Sequence, residues 1–308
     1  MWRHIVLTIS ANAASDFYGK VAVLADAVVG DLARIGRGRK SNFWDGILML
    51  RRIHAWLLVA VCSSSVAADC VPMDLTHAAW TEILHASVDA GQVDYRAIAN
   101  QRRRGLDDYL HRLSAVCPQD YAQASEHDKI AFWINAYNAY TIDLILKHYP
   151  VESIRKIGWL PGAAFRERFI PMDALKGRDI SLNDIEHGTL RSVFDEPRVH
   201  FALVCAAQSC PPLRNEAYRG SELDHQLDDQ ARIFLRDRRK NRYNPNTNVL
   251  EISAIFDWFR ADFEHHAGSV ATFIGRYLEL PADTPPAVHY QPYDWQLNDR
   301  KLPSDFPR

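Results

Sequence analysis

The chain has 308 residues, 47% hydrophobic and 24% charged, with 14 Gly and 15 Pro, ordinary globular usage that excludes collagen, low-complexity disorder and a bare coiled coil. No run reaches the roughly 18 apolar residues of a membrane-spanning helix. A formal net charge of −2 argues against a dedicated nucleic-acid binder, which is normally basic.

The first informative stretch starts at Met49. Met49-Leu50-Arg51-Arg52 is a basic start, Ala55-Trp56-Leu57-Leu58-Val59-Ala60-Val61-Cys62 a short apolar run, and Ser63-Ser64-Ser65-Val66-Ala67-Ala68 a small-residue end. These are the three parts of a secretory signal peptide, here residues 49–68, with cleavage expected between Ala68 and Asp69. The alternatives are a buried N-terminal helix and a lipoprotein anchor at Cys62, the latter disfavoured by bulky Val61. Residues 1–48 are then expected to be an upstream extension that is not translated or is disordered, and 69–308 a single mature domain, periplasmic or secreted. Residues 1–68 hold eight Lys/Arg and four Asp/Glu, so the remainder carries 28 basic and 34 acidic side chains, a formal net of −6. That disfavours nucleic acid and anionic lipid as partners, and no membrane span is expected after signal removal. Cys70, Cys117, Cys205 and Cys210 remain. An oxidising compartment makes disulfides the default, but four cysteines allow three pairings.

Along the mature chain, residues 75–90 read as a helix that follows Asp74 and stops at Gly91. Val93-Asp94-Tyr95 is a short extended piece. Leu106, Tyr109, Leu110 and Leu113 mark an amphipathic helix. Ser125, with Asp128 three places on, opens the longest helix, and Tyr149-Pro150 ends it. Ser181 with Asp184 repeats that signal before a helix reaching about Phe194. The continuous apolar run Val199-His200-Phe201-Ala202-Leu203-Val204 predicts a central buried strand over about 198–205. Ser221 with Asp224 opens a helix to about Asp237. Residues 242–244 and 249–252 flank a hairpin-like turn. Residues 255–263 and 269–278 read as helices, and the tail from Pro281 onward is Pro-rich and ends irregularly. Helices outnumber strands without regular alternation, which predicts an α+β fold, mostly helical with a small sheet.

Cys210 precedes Pro211-Pro212, and Pro is favoured in a first helical turn. Cys210 is therefore a candidate N-cap, its sulfur facing the free amides of Leu213 and Arg214. Such a site lowers a thiol pKa and activates a nucleophile. The competing reading is a structural disulfide, most simply with Cys205; a redox pair or a metal ligand are further alternatives. His187 and His200 are candidate bases, or hydrogen-bonded structural residues. On a regular strand His200 and Cys205 point to opposite faces, which weakens a zinc site built on them and Cys210. No metal and no cofactor is expected. Glu186 beside His187 is a candidate for the carboxylate that orients a base, or part of a solvated helix face. Asn135 and Asn138, three apart on an apolar helix, share a face. Buried amides need partners, so they pin a loop backbone or line a pocket as oxyanion donors. Ile255-Phe256-Asp257-Trp258-Phe259 reads as helix packing, and Arg236-Asp237-Arg238-Arg239-Lys240 as a solvated helix end.

Taken together, Gly91-Gln92-Val93-Asp94-Tyr95, the stretch from His127 to Tyr140, Leu182-Asn183-Asp184-Ile185-Glu186-His187-Gly188, His200-Phe201-Ala202-Leu203 through Ser209-Cys210-Pro211-Pro212-Leu213, Ser253-Ala254-Ile255-Phe256-Asp257-Trp258-Phe259 and the closing Tyr293 to Asn298 resemble the domain-of-unknown-function 547 family. The resemblance spans nearly all of residues 69–308. It implies export, as in many bacterial members, and no accepted activity. Plant members carry a leucine-zipper-like segment that suggests binding, but no heptads occur here. Two functional expectations follow. One is a cysteine-dependent hydrolase or acyl transferase on an amide or thioester, with Cys210 as nucleophile, His187 or His200 as base, Glu186 as orienting carboxylate and Asn135 or Asn138 as oxyanion donor. The other is a non-catalytic periplasmic binding or scaffold module held by disulfides, taking a small molecule or peptide. Thiol–disulfide redox through Cys205 and Cys210 ranks third, because the gap between them is wider than C-x-x-C.

Overall fold

The computed structural model describes residues 70–281 and 284–300, all within one unit, 69–308. The expectations for residues 1–68 fall outside them. The architecture is mostly helical α+β, as the element pattern predicted.

Helices α1 (Ala78–Ser87), α2 (Arg103–Ser114) and α3 (Glu126–His148) pack in series, α1 on α2 and α2 on α3. Ser125 caps α3 by accepting the Asp128 N–H, satisfying a donor that the first turn leaves free. Every residue from 130 to 145 is buried, so this span of α3 is enclosed on all sides, its polar Asn135, Asn138, Thr141 and Asp143 included. The burial of Leu106, Tyr109, Leu110 and Leu113 gives α2 its expected inward stripe. Helix α1 starts later than predicted because Asp74 accepts the N–H groups of Thr76 and His77 in a local turn. It also ends sooner. Strands β1 (Val88–Asp89) and β2 (Gln92–Val93) form a hairpin around Ala90-Gly91, both at positive φ, the pattern a tight two-residue turn requires.

Ser181 and Asp184 form the predicted capping box at the start of α4 (Leu182–Ile185). The helix continues through a π-helical turn, Glu186–Leu190, and a last turn, Arg191–Val193. The buried strand expected over 198–205 is not a strand. Residues Val199–Ala202 form a helical turn, α5, and the chain then extends. A continuous apolar run fits a buried helix as well as a buried strand. Here the Asn138 amide supplies the partners that a neighbouring strand would have given. Its Nδ2 donates to the Ala202 carbonyl at 2.9 Å, and its Oδ1 accepts the Val204 N–H at 2.9 Å.

Helix α6 (Leu223–Arg236) forms, but Ser221 does not cap it. A 3-10 turn, Gly220–Glu222, leads in, and the Asp224 carboxylate pairs with Arg198 at 2.6 Å. The sheet consists of β3 (Arg242–Asn244), β4 (Val249–Ser253) and β5 (Ala287–Gln291). The first two pair antiparallel around the predicted turn, and β5 joins β4 in parallel. The expected helix over 255–263 divides at Phe259 into α7 (Ile255–Trp258) and α8 (Arg260–Ala267), and α9 (Val270–Ile274) follows. Two apolar cores result. One surrounds α3, and the other gathers Phe201, Phe234, Phe256, Phe263 and Phe273; Tyr293 packs against both.

Residues 293–300 form no helix or strand, in keeping with an irregular end, yet they make a strap tied down by backbone bonds. Its backbone bonds Gln208 N–H to the Gln296 carbonyl at 2.8 Å, Asn298 N–H to the Ala206 carbonyl at 3.1 Å and Val93 N–H to the Asn298 carbonyl at 2.9 Å. Disulfides join Cys70 to Cys117 and Cys205 to Cys210, with Cα separations of 4.8 and 6.3 Å. Among the described residues no helix is long and apolar enough to cross a membrane.

Candidate functional site

A cleft of about 160 Å³ collects Glu186, His187, His200, Cys205 and Cys210 with an aromatic wall. The first two come from the π-helical turn, a feature that widens a helix by one residue and recurs at functional sites. His200 comes from α5, and the cysteines from the loop that follows it. Tyr137 projects from α3, Trp258 and Phe259 from the break between α7 and α8, and Tyr293 and Trp295 from the strap.

His200 is the most constrained of these groups. Its Nε2 lies 2.7 Å from Asp262 Oδ2, and its ring stacks on Phe259 at 3.9 Å between centroids. Arg191 grips the same carboxylate in a fork, with Nε 2.6 Å from Oδ2 and Nη2 2.8 Å from Oδ1. Burial alone raises the Asp262 carboxyl pKa. The bonds and charges of Arg191 and His200 outweigh it and hold Asp262 well below the usual carboxylate range. Burial lowers the His200 pKa against the pull of Asp262. The ring is therefore neutral at pH 7, Nε2–H donates to Asp262, and Nδ1 carries the lone pair. That Nδ1 is buried and has no hydrogen-bond partner among the described residues. His187 lies nearer the surface, with Nδ1 3.0 Å from Arg191 Nη1. A guanidinium only donates, so Nδ1 accepts and the proton sits on Nε2. Burial, with the Arg191 charge, lowers the His187 pKa as well.

Glu186 is a half-buried residue with an enclosed carboxyl, hydrogen-bonded by the Tyr137 phenol. Burial raises its pKa to about 7, against the Arg191 charge and the Tyr137 bond. Strong perturbation of this kind inside a cleft marks candidate functional groups.

Cys210 does not cap a helix. The residues after it are irregular, because a proline disfavours helical geometry in the residue before it. Pro212 acts on Pro211, and Pro211 on Cys210. Cys210 is instead joined to Cys205, and both line the cleft together with His200. The opposite-face argument fails because α5 is a helical turn. Asn135 and Asn138 do not line the cleft. Asn135 Nδ2 donates to the Tyr218 carbonyl at 2.7 Å, and its Oδ1 accepts the Tyr218 N–H at 3.0 Å. Asn138 holds residues 202–204 in the same two-point manner, fixing the segment that runs from His200 to Cys205.

Contributors that escaped sequence reasoning as site residues include Tyr137, Arg191, Asp262, Tyr293 and Trp295. Arg191 stands four residues after His187 on one helix, a spacing that signals contact. The Tyr293 to Asn298 segment carried a family-like motif. Asp262 has no local signal, since it reaches His200 across 62 positions. Trp258 and Phe259 line the cleft, although their segment read as packing alone. Lys240, expected to be solvated, turns inward and donates to the Cys210 carbonyl. It borders a larger groove of about 620 Å³ that shares Cys210 and Pro211 with the cleft and carries Arg214, Arg236 and Arg239. Among the described residues no group of three His, Cys, Asp or Glu side chains is placed to hold a metal ion.

Residues 121–235 match the family model described as "Protein of unknown function, DUF547". No curated protein and no solved structure matches the chain. The matched segment holds Tyr137, Glu186, His187, His200, Cys205 and Cys210, while Asp262 and Tyr293 lie beyond it. Residues 121–235 are thus the part of the chain that is similar to the DUF547 family.

Proposed function

We propose that this domain is a ligand-binding module, stabilised by disulfides and working outside the reducing cytosol, whose cleft takes a small molecule or one peptide side chain. The observation that carries this reading is the convergence of Glu186, His187 and His200 with an aromatic wall on one cleft. Ligand sites are concave and largely apolar, with a few placed polar groups. A carboxyl that titrates near neutrality and a neutral His200 with an open Nδ1 provide a donor and an acceptor there. Two disulfides fit an oxidising compartment, in keeping with the secretory signal expected before Asp69.

A second reading is a cysteine-dependent hydrolase or acyl transferase acting on an amide or thioester. The fixed Asp262–His200 pair beside Cys210 favours it. Cys210 would be the nucleophile, His200 or His187 the base and Glu186 a positioning carboxylate. It needs a free thiolate at Cys210.

Alkylation with iodoacetamide, mapped by mass spectrometry on protein purified without reductant, separates the two. The binding-module reading expects Cys70, Cys117, Cys205 and Cys210 to stay unlabelled until a reductant is added. Rapid labelling of Cys210 below about pH 7, against a free-thiol pKa near 8.5, contradicts it and supports the thiol enzyme.

A further inference from the structure

The disulfide in the cleft has two unequal halves. Cys205 is half-buried, whereas Cys210 is 2% exposed. The buried sulfur gathers hydrogen-bond donors. The Cys205 N–H lies 3.0 Å from Cys210 Sγ, and the Tyr293 hydroxyl lies 3.2 Å from it. The same hydroxyl is 3.3 Å from Cys205 Sγ. Burial and the Glu186 charge hold the Tyr293 phenol far above its usual range, so it remains a donor at neutral pH. Donors aimed at a sulfur favour its charged form, and a stabilised thiolate is the better leaving group in disulfide exchange. The Cys70–Cys117 disulfide does not line the cleft and serves as an internal reference.

We propose that Cys205–Cys210 is an exchangeable disulfide and that the cleft takes a low-molecular-weight thiol. This rests on the reading of the cleft as a ligand site and names the ligand's class. The incoming thiolate attacks Cys205 Sγ, the sulfur of the less buried residue. A bond forms between the two as the Cys205–Cys210 bond breaks, and the electron pair leaves on Cys210 as a thiolate. The Cys205 N–H and the Tyr293 hydroxyl receive that charge. A second thiol then attacks the mixed disulfide, releasing Cys205 and the ligand's own disulfide. Two ligand thiols are oxidised, the protein disulfide is reduced, and the two protons given up by the ligands end on Cys205 and Cys210. An excess of the ligand's disulfide runs the sequence backward. The wide C-x-x-x-x-C spacing is no obstacle, because the fold, rather than a short loop, brings the sulfurs together.

The test equilibrates the full-length protein in buffers of glutathione and glutathione disulfide at graded ratios, followed by acid quench, alkylation and peptide mapping. A parallel arm uses S-methylglutathione, which has no thiol to exchange, and follows the fluorescence of Trp258 against a Trp258→Phe control. The proposal expects Cys205–Cys210 to open at ratios that leave Cys70–Cys117 closed. It expects the glutathione adduct on Cys205, not on Cys210. In Tyr293→Phe, half-reduction moves on the order of tenfold toward higher thiol, the size of one lost bond to a charged group. Simultaneous opening of both disulfides, or an adduct on Cys210, overturns it. Absence of exchange while S-methylglutathione still changes Trp258 fluorescence overturns the exchange and leaves the cleft reading standing. Silence in both arms overturns both.

Discussion

A carboxyl enclosed by a phenol and aromatic rings titrates late, and at Glu186 this has a measurable sign. Its ordinary value is 4.5, and burial raises it to about 7 in the fold. Between those values the unfolded chain releases its proton while the native state keeps it. Stability therefore falls as pH rises from about 4.5 to 7, and the loss is complete above that window. Glu186→Gln removes the titration. Its stability relative to the unmodified protein is expected to be on the order of 3 kcal/mol more favourable at pH 8 than at pH 4, read from urea denaturation at each pH. An equal effect at both pH values would show that the carboxyl is hydrated. At this scale, although the helix cap expected at Cys210 did not form, Glu186, His187, His200 and Cys210 were legible as candidates from residue type and neighbourhood. Asp262 was not, because nothing local distinguishes it from other helix-surface aspartates. Its role comes from the fork with Arg191 and the bond to His200, both of which are tertiary. The asparagines were legible as buried amides that needed partners, but sequence alone could not say that those partners were the backbones of Tyr218, Ala202 and Val204.

Elements were legible where local chemistry decides them. The Ser125 cap, the Ser181–Asp184 box and the turn between β3 and β4 are each set by a few adjacent residues. The strand expected over 198–205 failed because burial on all sides erases periodicity. The cap expected at Ser221 failed because Ser221 lies inside the 3-10 turn Gly220–Glu222 that leads into the helix, one residue before the N-cap position. The hairpin between β1 and β2 shows how closely local geometry is tied to the site. Gly91 has φ +81°, and a Cβ there would lie 2.4 Å from the Pro212 Cβ, two residues past Cys210. Gly91→Ala is expected to cost about 2–4 kcal/mol, combining left-handed strain with overpacking. Gly177 also has positive φ but meets nothing within 4 Å, so Gly177→Ala should cost only the strain, about 1–2 kcal/mol. Denaturant midpoints compare the two, and equal losses would contradict the close packing of Pro212 on the hairpin.

At the scale of the whole domain, the cleft sits where the two apolar cores meet, with Tyr293 packed against both. Its parts come from α3, the π-helical turn, α5, the cysteine loop, the break before α8 and the strap over residues 293–300. No one segment contains the cleft, which explains why the sequence named candidate residues but not their geometry. The strap illustrates this. Its residues read as an irregular end, yet their backbone bonds reach both the hairpin and the loop before Cys210. The claim that this cleft is the ligand site is tested most directly by soaking a library of small organic fragments into crystals of the protein and mapping where they bind. The account predicts fragments against Glu186, His200 and Trp258. Fragments confined to the larger groove along Arg236 and Lys240, with the cleft left empty, would contradict it.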